Sequence, residues 1–215
     1  MKMRMSKSSI HTYEFCPFRY FLTYVKKLNE PKVYVMERGV NIHDAIYNFL
    51  INNKTPPEEY QEQVAFVVAT LNKLKPYKIL LAEEKLTTEF ENIELVGITD
   101  LLIQHKDKVI LFDYKTGKDR GLQHHRFELA LYTFILQQNN INPTHWGIMF
   151  VDEKKVYVEP IIGREIQKAL GKVYDVYLRV KEKRFAPTKV NCRFCPYKDD
   201  CNVFIEMYKN EMGRN

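Results

Sequence analysis

The spacing of apolar and polar residues divides the chain into helical and extended stretches. From Ser9 to about Lys27 it predicts two short helices broken at Pro17, with Phe15, Phe18, Tyr20 and Phe21 offering apolar contacts beside Cys16. A second helical stretch covers about Val35 to Asn53. A third is expected to open on a capping box formed by Thr55 and Glu58 and to run to about Lys75, where Pro76 stops it. The period then changes. Lys78 to Phe90, Ile93 to Gln104 and Lys108 to Tyr114 read as three strands of an antiparallel meander, with turns at Glu91-Asn92 and at His105 to Asp107. A helix from about Gly121 to Gln138 follows, then a strand from Thr144 to Val151 and a turn at Asp152 to Lys154. A short return strand to Pro160 and a helix from Gly163 to about Glu182 complete the pattern.

That order predicts an α/β (α+β) fold: a mixed sheet led by antiparallel strands and flanked by helices. No internal repeat, low-complexity tract or linker interrupts it, so residues 1–215 are expected to form one domain. Its terminal segments, 1–30 and 187–215, carry all the cysteines and are expected to pack together. A hydrophobic content of 45% is ordinary for a globular chain of this length. The 33 basic and 27 acidic residues leave a net charge of +6, which suits an anionic partner such as nucleic acid. Thirteen phenylalanines and fourteen tyrosines exceed the needs of such a core, so some are free to meet bases or a partner. The first residues bear charge but no apolar segment of a signal peptide, and no apolar run is long enough to cross a bilayer. The expectation is a cytoplasmic protein with reduced thiols and no membrane partner.

In that setting the four cysteines change the picture. Cys16 stands alone near the start, and Cys192, Cys195 and Cys201 close the chain in CRFCPYKDDC. Two thiolates two residues apart reach one centre from a single turn, and the distant pair completes it. Spacing alone leaves both zinc and an iron-sulfur cluster open, since each takes four thiolates.

Candidate chemistry sits on the second and third predicted strands. Asp100 lies in VGITDLL, and Asp113-Tyr114-Lys115 lies in LFDYKTG. Carboxylates at one end of adjacent strands hold a divalent cation, and a lysine two residues beyond the second acid points to the same face. Such a set suits phosphodiester hydrolysis, the metal activating water and the lysine orienting it or stabilising charge. His124 and His125 lie between the lysine and the next helix and are read as surface or DNA-contacting residues.

Together, RGVNIH with His43 four residues after Gly39, VGITD, DYK and the following ELALY resemble the PD-(D/E)xK nucleases. The similarity is to the RecB-like branch, with its CRISPR-associated Cas-four exonucleases and AddB-type nuclease domains. It spans nearly the whole chain and implies a restriction-endonuclease-like core. It also implies His43, Asp100 and Asp113 as metal ligands, with Tyr114 counted beside them, and Lys115 as the catalytic lysine. An acid on the preceding strand is often present, and Glu84 is expected for it over Glu83. One cysteine before the core and three after it imply a [4Fe-4S] cluster on Cys16, Cys192, Cys195 and Cys201, joining the two ends as a structural staple. The helix after the lysine usually carries Q-x-x-x-Y, whereas here Tyr132 matches and Glu128 replaces the glutamine. The resemblance implies an exonuclease using Mg²⁺ or Mn²⁺ on single-stranded DNA ends, with recombination or CRISPR-adaptation proteins as partners. The rival is a catalytically weak module that binds DNA ends or a partner nuclease.

Overall fold

Among the described residues, six strands form one mixed sheet, in which the strands at 3–6, 93–105, 108–115, 145–150 and 155–160 are successive neighbours and the strand at 78–90 also pairs with that at 93–105. The computed structural model describes residues 2–29, 34–188, 192, 195–198 and 201. It divides into two compact units, Met1–Arg4 with Tyr34–Gly171, and Met5–Val33 with Lys172–Asn215. Residues 202–215 of the expected terminal segment lie outside the described residues.

In the first unit, β2 (Lys78–Phe90), β3 (Ile93–His105) and β4 (Lys108–Lys115) form the expected antiparallel meander. The chain then crosses through α5 (Arg126–Gln138) and returns as β5 (His145–Phe150), parallel to β4, because parallel neighbours need a long connection and not a hairpin. β6 (Lys155–Pro160) folds back antiparallel on β5. β1 (Met3–Ser6) is an unexpected strand, anchored by the Met3 amide on the Asn92 carbonyl at 3.2 Å.

α3 (Tyr34–Asn52) and α4 (Gln61–Asn72) supply Ile42, Ile46, Val64, Val67 and Leu71 to a core shared with Leu101, Ile103, Phe112 and Tyr114 of the sheet. α4 begins later than its capping box predicts. Pro57 biases the residue before it away from helical angles, so a 3₁₀ turn at Glu58–Tyr60 comes first and no side chain caps the helix. α5 packs on β2, β3 and β4. Its Thr133 hydroxyl accepts a buried hydrogen bond of 2.8 Å from the Trp146 indole, and Tyr132 lies directly on Gly97. A Cβ at Gly97 would come within 2.8 Å of the Tyr132 ring.

The second unit holds α1 (Lys7–Phe15) and α2 (Pro17–Tyr20), followed by a π-helical turn at Phe21–Val25. Ser6 and Ser9 cap α1 reciprocally, each side chain accepting from the other's backbone N–H. α6 (Gly163–Lys181) contributes its final residues, from Lys172 onward. Tyr13 donates to the Arg184 carbonyl at 2.6 Å, Tyr197 donates to the Leu28 carbonyl at 3.0 Å, and Phe185 stacks on Tyr20. These contacts bring the two ends of the chain together within this unit.

Candidate active site

The polar groups of the first unit fall into two neighbouring sets. Three residues make the first: His43 on α3, Glu83 on β2 and Asp100 on β3. One ligand atom of each lies within 4.8 Å of the others, the only such group of three or more among the described residues. His43 Nδ1 is 3.0 Å from Glu83 Oε1 and 3.7 Å from Asp100 Oδ2. Asp100 Oδ2 accepts the Tyr114 amide at 2.8 Å, which fixes the carboxylate against β4.

Glu83, and not Glu84, joins this set. A register irregularity between Ile79 and Leu81 resets the alternation of β2, and Glu83 takes a left-handed φ of 47° between the pairs Ala82↔Leu101 and Glu84↔Thr99. Glu83 is thereby set opposite Asp100, while Glu84 is exposed. Simple counting by twos misses both displacements.

Electrostatically, the first set favours protons until something else supplies positive charge. Burial opposes the His43 imidazolium, but the hydrogen bond to Glu83 and the charges of Asp100, Glu83 and Asp113 outweigh it and push its pKa up to about 9. Burial, then the nearby Asp113 charge, holds the Asp100 carboxyl well above the usual carboxylate range, with His43 acting the other way. An imidazole and two carboxylates suit a divalent cation, whose charge would replace these protons.

The second set is Asp113 and Lys115 of β4, Glu128 of α5, and His125. Lys115 Nζ sits 2.6 Å from Asp113 Oδ2 and 2.8 Å from Glu128 Oε1. Burial works against the ammonium, yet the two carboxylates dominate and raise its pKa. Asp113 and Glu128 are each 3% exposed, so this ammonium balances charge that would otherwise be costly to bury. His125 Nδ1 meets the same Glu128 oxygen at 2.7 Å. The sequence predicts a surface or DNA-contacting place for His125, whereas the 3₁₀ turn Leu122–His125 brings it onto Glu128. Its i,i+3 spacing from Glu128 was the available signal. His124 is exposed.

Tyr132 stands one turn beyond Glu128, and burial together with the charges of Asp113, Asp100 and Glu128 raises its phenol pKa. The Tyr114 side chain is buried in the core, its ring edge-on to His43 at 5.4 Å between centroids. Its backbone N–H, not its phenol, serves the first set through Asp100.

Asp152 locks the surrounding frame. Its carboxylate accepts Arg38 in a bidentate pair at 2.7 and 3.0 Å, Gln63 at 3.1 Å, and the Gly117 amide at 2.8 Å. The Val151 amide donates to the Lys115 carbonyl at 3.0 Å. The helix carrying His43 and the chain leaving Lys115 are therefore tied to one carboxylate, whose pKa the Arg38 bond lowers to about 2.

In the second unit, Cys16, Cys192, Cys195 and Cys201 all line one pocket, together with the apolar side chains of Phe15, Phe18 and Leu22. Cys16 is extended between α1 and α2, and its carbonyl accepts the Tyr20 amide. At the other end the Cys195 amide donates to the Cys192 carbonyl at 3.0 Å, and the Lys198 amide to the Cys195 carbonyl at 3.1 Å. Burial raises the Cys192 and Cys195 pKa values, and the charges of Cys16 and Cys201 add to the rise at both. Among the described residues no three of these cysteines bring their sulfurs within 4.8 Å of one another.

A family model for the PD-(D/E)XK nuclease superfamily matches residues 4–79 and 67–202 of the chain. No curated protein matches it. Among solved structures, a "putative exonuclease" from Eubacterium rectale aligns with a TM-score of 0.60 at 15% identity, covering 94% of this chain and 87% of that one. That likeness is one of fold. A structure named SSO0001 aligns over 94% of this chain and 87% of its own at 14% identity, with a TM-score of 0.46. Among the described residues no helix is long and apolar enough to cross a membrane.

Proposed function

Because the chain belongs to the PD-(D/E)XK nuclease superfamily, we propose that it is a metal-dependent exodeoxyribonuclease of the RecB-like branch, akin to the Cas-four exonucleases. Its substrate is the end of single-stranded DNA. The observation that carries this reading is the convergence of His43, Glu83 and Asp100 within 4.8 Å of one another, beside the paired Asp113 and Lys115. A Mg²⁺ or Mn²⁺ ion on the first set, with Asp113 and the Tyr114 backbone adjoining, would supply an acidified water and withdraw charge from the phosphate. Asp113 holds Lys115 in its protonated form, and the ammonium is available to the charge that develops on the reacting phosphate. Tyr132 and Glu128 bound the site from α5.

Apolar surface beside the ligands supports a single-stranded substrate. Met36 and Val40 are 61% and 60% exposed on α3 ahead of His43, and Ile98 is 47% exposed two residues before Asp100 on β3. Unpaired bases cover such surface, whereas a duplex keeps its bases stacked inside. The net charge of +6 favours the backbone.

The cysteine pocket suits a [4Fe-4S] cluster. A cubane spreads four thiolates over four irons, whereas zinc requires all four on one ion, and here all four cysteines line one pocket without clustering at one point. The cluster staples the ends of the chain in a protein read as cytoplasmic and acting with recombination, repair or CRISPR-adaptation proteins.

The test is cleavage of end-labelled single- and double-stranded DNA by anaerobically purified protein, with Mg²⁺, Mn²⁺ or chelator, alongside Lys115→Ala. Metal-dependent release from single-stranded ends, lost in the variant, and iron equal to acid-labile sulfide support the reading. Cleavage undiminished by chelation or by Lys115→Ala overturns the nuclease assignment, and stoichiometric zinc without iron overturns the cluster.

A further inference from the structure

Glu128 is buried, and both its cationic neighbour Lys115 and the ring of His125 address the same oxygen, Oε1, at 2.8 and 2.7 Å. The ammonium is shared between Glu128 and Asp113, so a second contact on the Glu128 oxygen needs a purpose beyond that ion pair. Direction gives it one. A glutamate on a helix can turn about its terminal torsions, and a lysine stem is equally adaptable, so a bond between these two fixes neither.

His125 is held more firmly. It closes the 3₁₀ turn Leu122–His125, three residues before Glu128, and its ring stands edge-on to the buried Phe150 at 5.6 Å and 62°. A carboxylate only accepts, so Nδ1 carries the hydrogen of this bond. Nε2 is buried with no hydrogen-bond partner among the described residues, which leaves Nδ1 as the ring's polar contact.

We propose that His125 is a positioning residue: it fixes the Glu128 carboxylate, and Glu128 with Asp113 fixes the ammonium of Lys115. The two carboxylates reach Nζ from different elements, β4 and α5, and His125 sets the α5 arm. The purpose of that placement rests on the nuclease reading above, in which Lys115 meets the reacting phosphate. Loss of His125 should therefore slow turnover and leave DNA binding alone, since a displaced charge is felt most in the transition state.

The experiment compares His125→Ala, His125→Asn and His125→Gln in steady-state cleavage at saturating metal, with thermal melts to establish folding. An asparagine amide nitrogen occupies nearly the place of Nδ1, whereas a glutamine amide lies one bond further out. The expected result is a kcat about tenfold lower in the alanine variant with KM within about twofold, and recovery to within about threefold by asparagine but not by glutamine. In a Glu128→Ala background, His125→Ala should cause no further loss, because the two act through one contact. A second readout needs no activity: acetylation of Lys115, followed by mass spectrometry, should be several-fold faster in the alanine variant. Wild-type kcat in folded His125→Ala, equal effects of asparagine and glutamine, or full additivity with Glu128→Ala overturns the proposal. Should the alanine variant not fold, the asparagine and glutamine pair decides. Should the wild type not cleave DNA, the nuclease reading fails separately and the acetylation rates alone decide whether His125 positions the lysine.

Discussion

The two halves of the candidate site hold similar groups and treat charge in opposite ways. His43, Glu83 and Asp100 converge from three elements, and pKa values rise on both the imidazole and the Asp100 carboxyl. Asp113 and Glu128 are buried more deeply, but Lys115 stands between them and His125 supports one of them. On the proposed reading a cation from outside the chain completes the first half, whereas the second already holds an ammonium. This difference separates binding of a cation from use of a fixed ammonium, two tasks that a single cluster of acids would confuse.

The largest effect expected from breaking the comparison is a separation of metal binding from turnover. Lys115→Ala should lower kcat by at least about a thousandfold, roughly 4 kcal/mol, while leaving Mn²⁺ affinity measured by calorimetry within about threefold. His43→Ala and Asp100→Ala should abolish cleavage and Mn²⁺ binding together. Equal loss of Mn²⁺ affinity in all three would erase the distinction between the halves.

A second, smaller effect is carried by pH. Both shifted groups of the first half hold protons more tightly when folded, so their contribution to metal-free stability is greatest at low pH and is lost as pH rises. For His43 the window runs from its ordinary value of 6.5 to about 9. Denaturant midpoints without metal should fall across that range and should be restored by Mn²⁺, whose affinity rises with pH as protons are displaced. A metal-free midpoint that climbs from pH 6.5 to 9 would contradict the assigned direction.

Glu128→Gln tests the self-contained half more gently. The amide oxygen still accepts from Lys115, so activity should stay within about tenfold of the wild type, roughly 1.4 kcal/mol, while Glu128→Ala does worse. Loss of cleavage in Glu128→Gln that only high Mn²⁺ restores would move Glu128 into the metal-binding half.

The smallest effect on turnover belongs to the frame shared by both halves, which is read in stability instead. Asp152→Ala removes the acceptor for Arg38, Gln63 and Gly117 and should cost about 1–3 kcal/mol in urea unfolding. The lowered Asp152 pKa stabilises the fold above the ordinary carboxylate value and loses that contribution as pH falls toward about 2. Acid unfolding of the variant should accordingly be less steep below pH 4 than that of the wild type, and equal slopes would show that Asp152 has no such role.

Period and punctuation made most of the fold legible. The bounds of β2, β4, β6 and α6 lie at or within a residue or so of the alternation and helical spacing that predicted them. β1 escaped because MRMS is short, mixed in polarity and stabilised by pairing that no local pattern announces. The start of α4 was misplaced because a favourable capping sequence met two prolines. At the site, His43, Asp100, Asp113 and Lys115 could be read from motif spacing, and the structure brings His43 to Asp100 and Lys115 to Asp113. Spacing offered Glu83 only beside Glu84 and favoured the wrong one, and the i,i+3 interval from His125 to Glu128 does not by itself announce a contact. The place of Glu83 depends on a strand irregularity and a left-handed residue, and that of His125 on a single 3₁₀ turn, all set by tertiary packing.

The bare backbone at Gly97 also constrains the order in which this chain can change. Tyr132 occupies the space where any side chain at position 97 would begin, so even alanine there meets the ring at 2.8 Å. A lineage could enlarge residue 97 only after shrinking residue 132, since the reverse order passes through an overpacked intermediate. Glu128 lies one helical turn before Tyr132, so that first step would loosen α5 where it holds Lys115. The route to a new packing thus runs through a looser α5, and the fit of residue 97 against residue 132 becomes historically bound to the hold on Lys115.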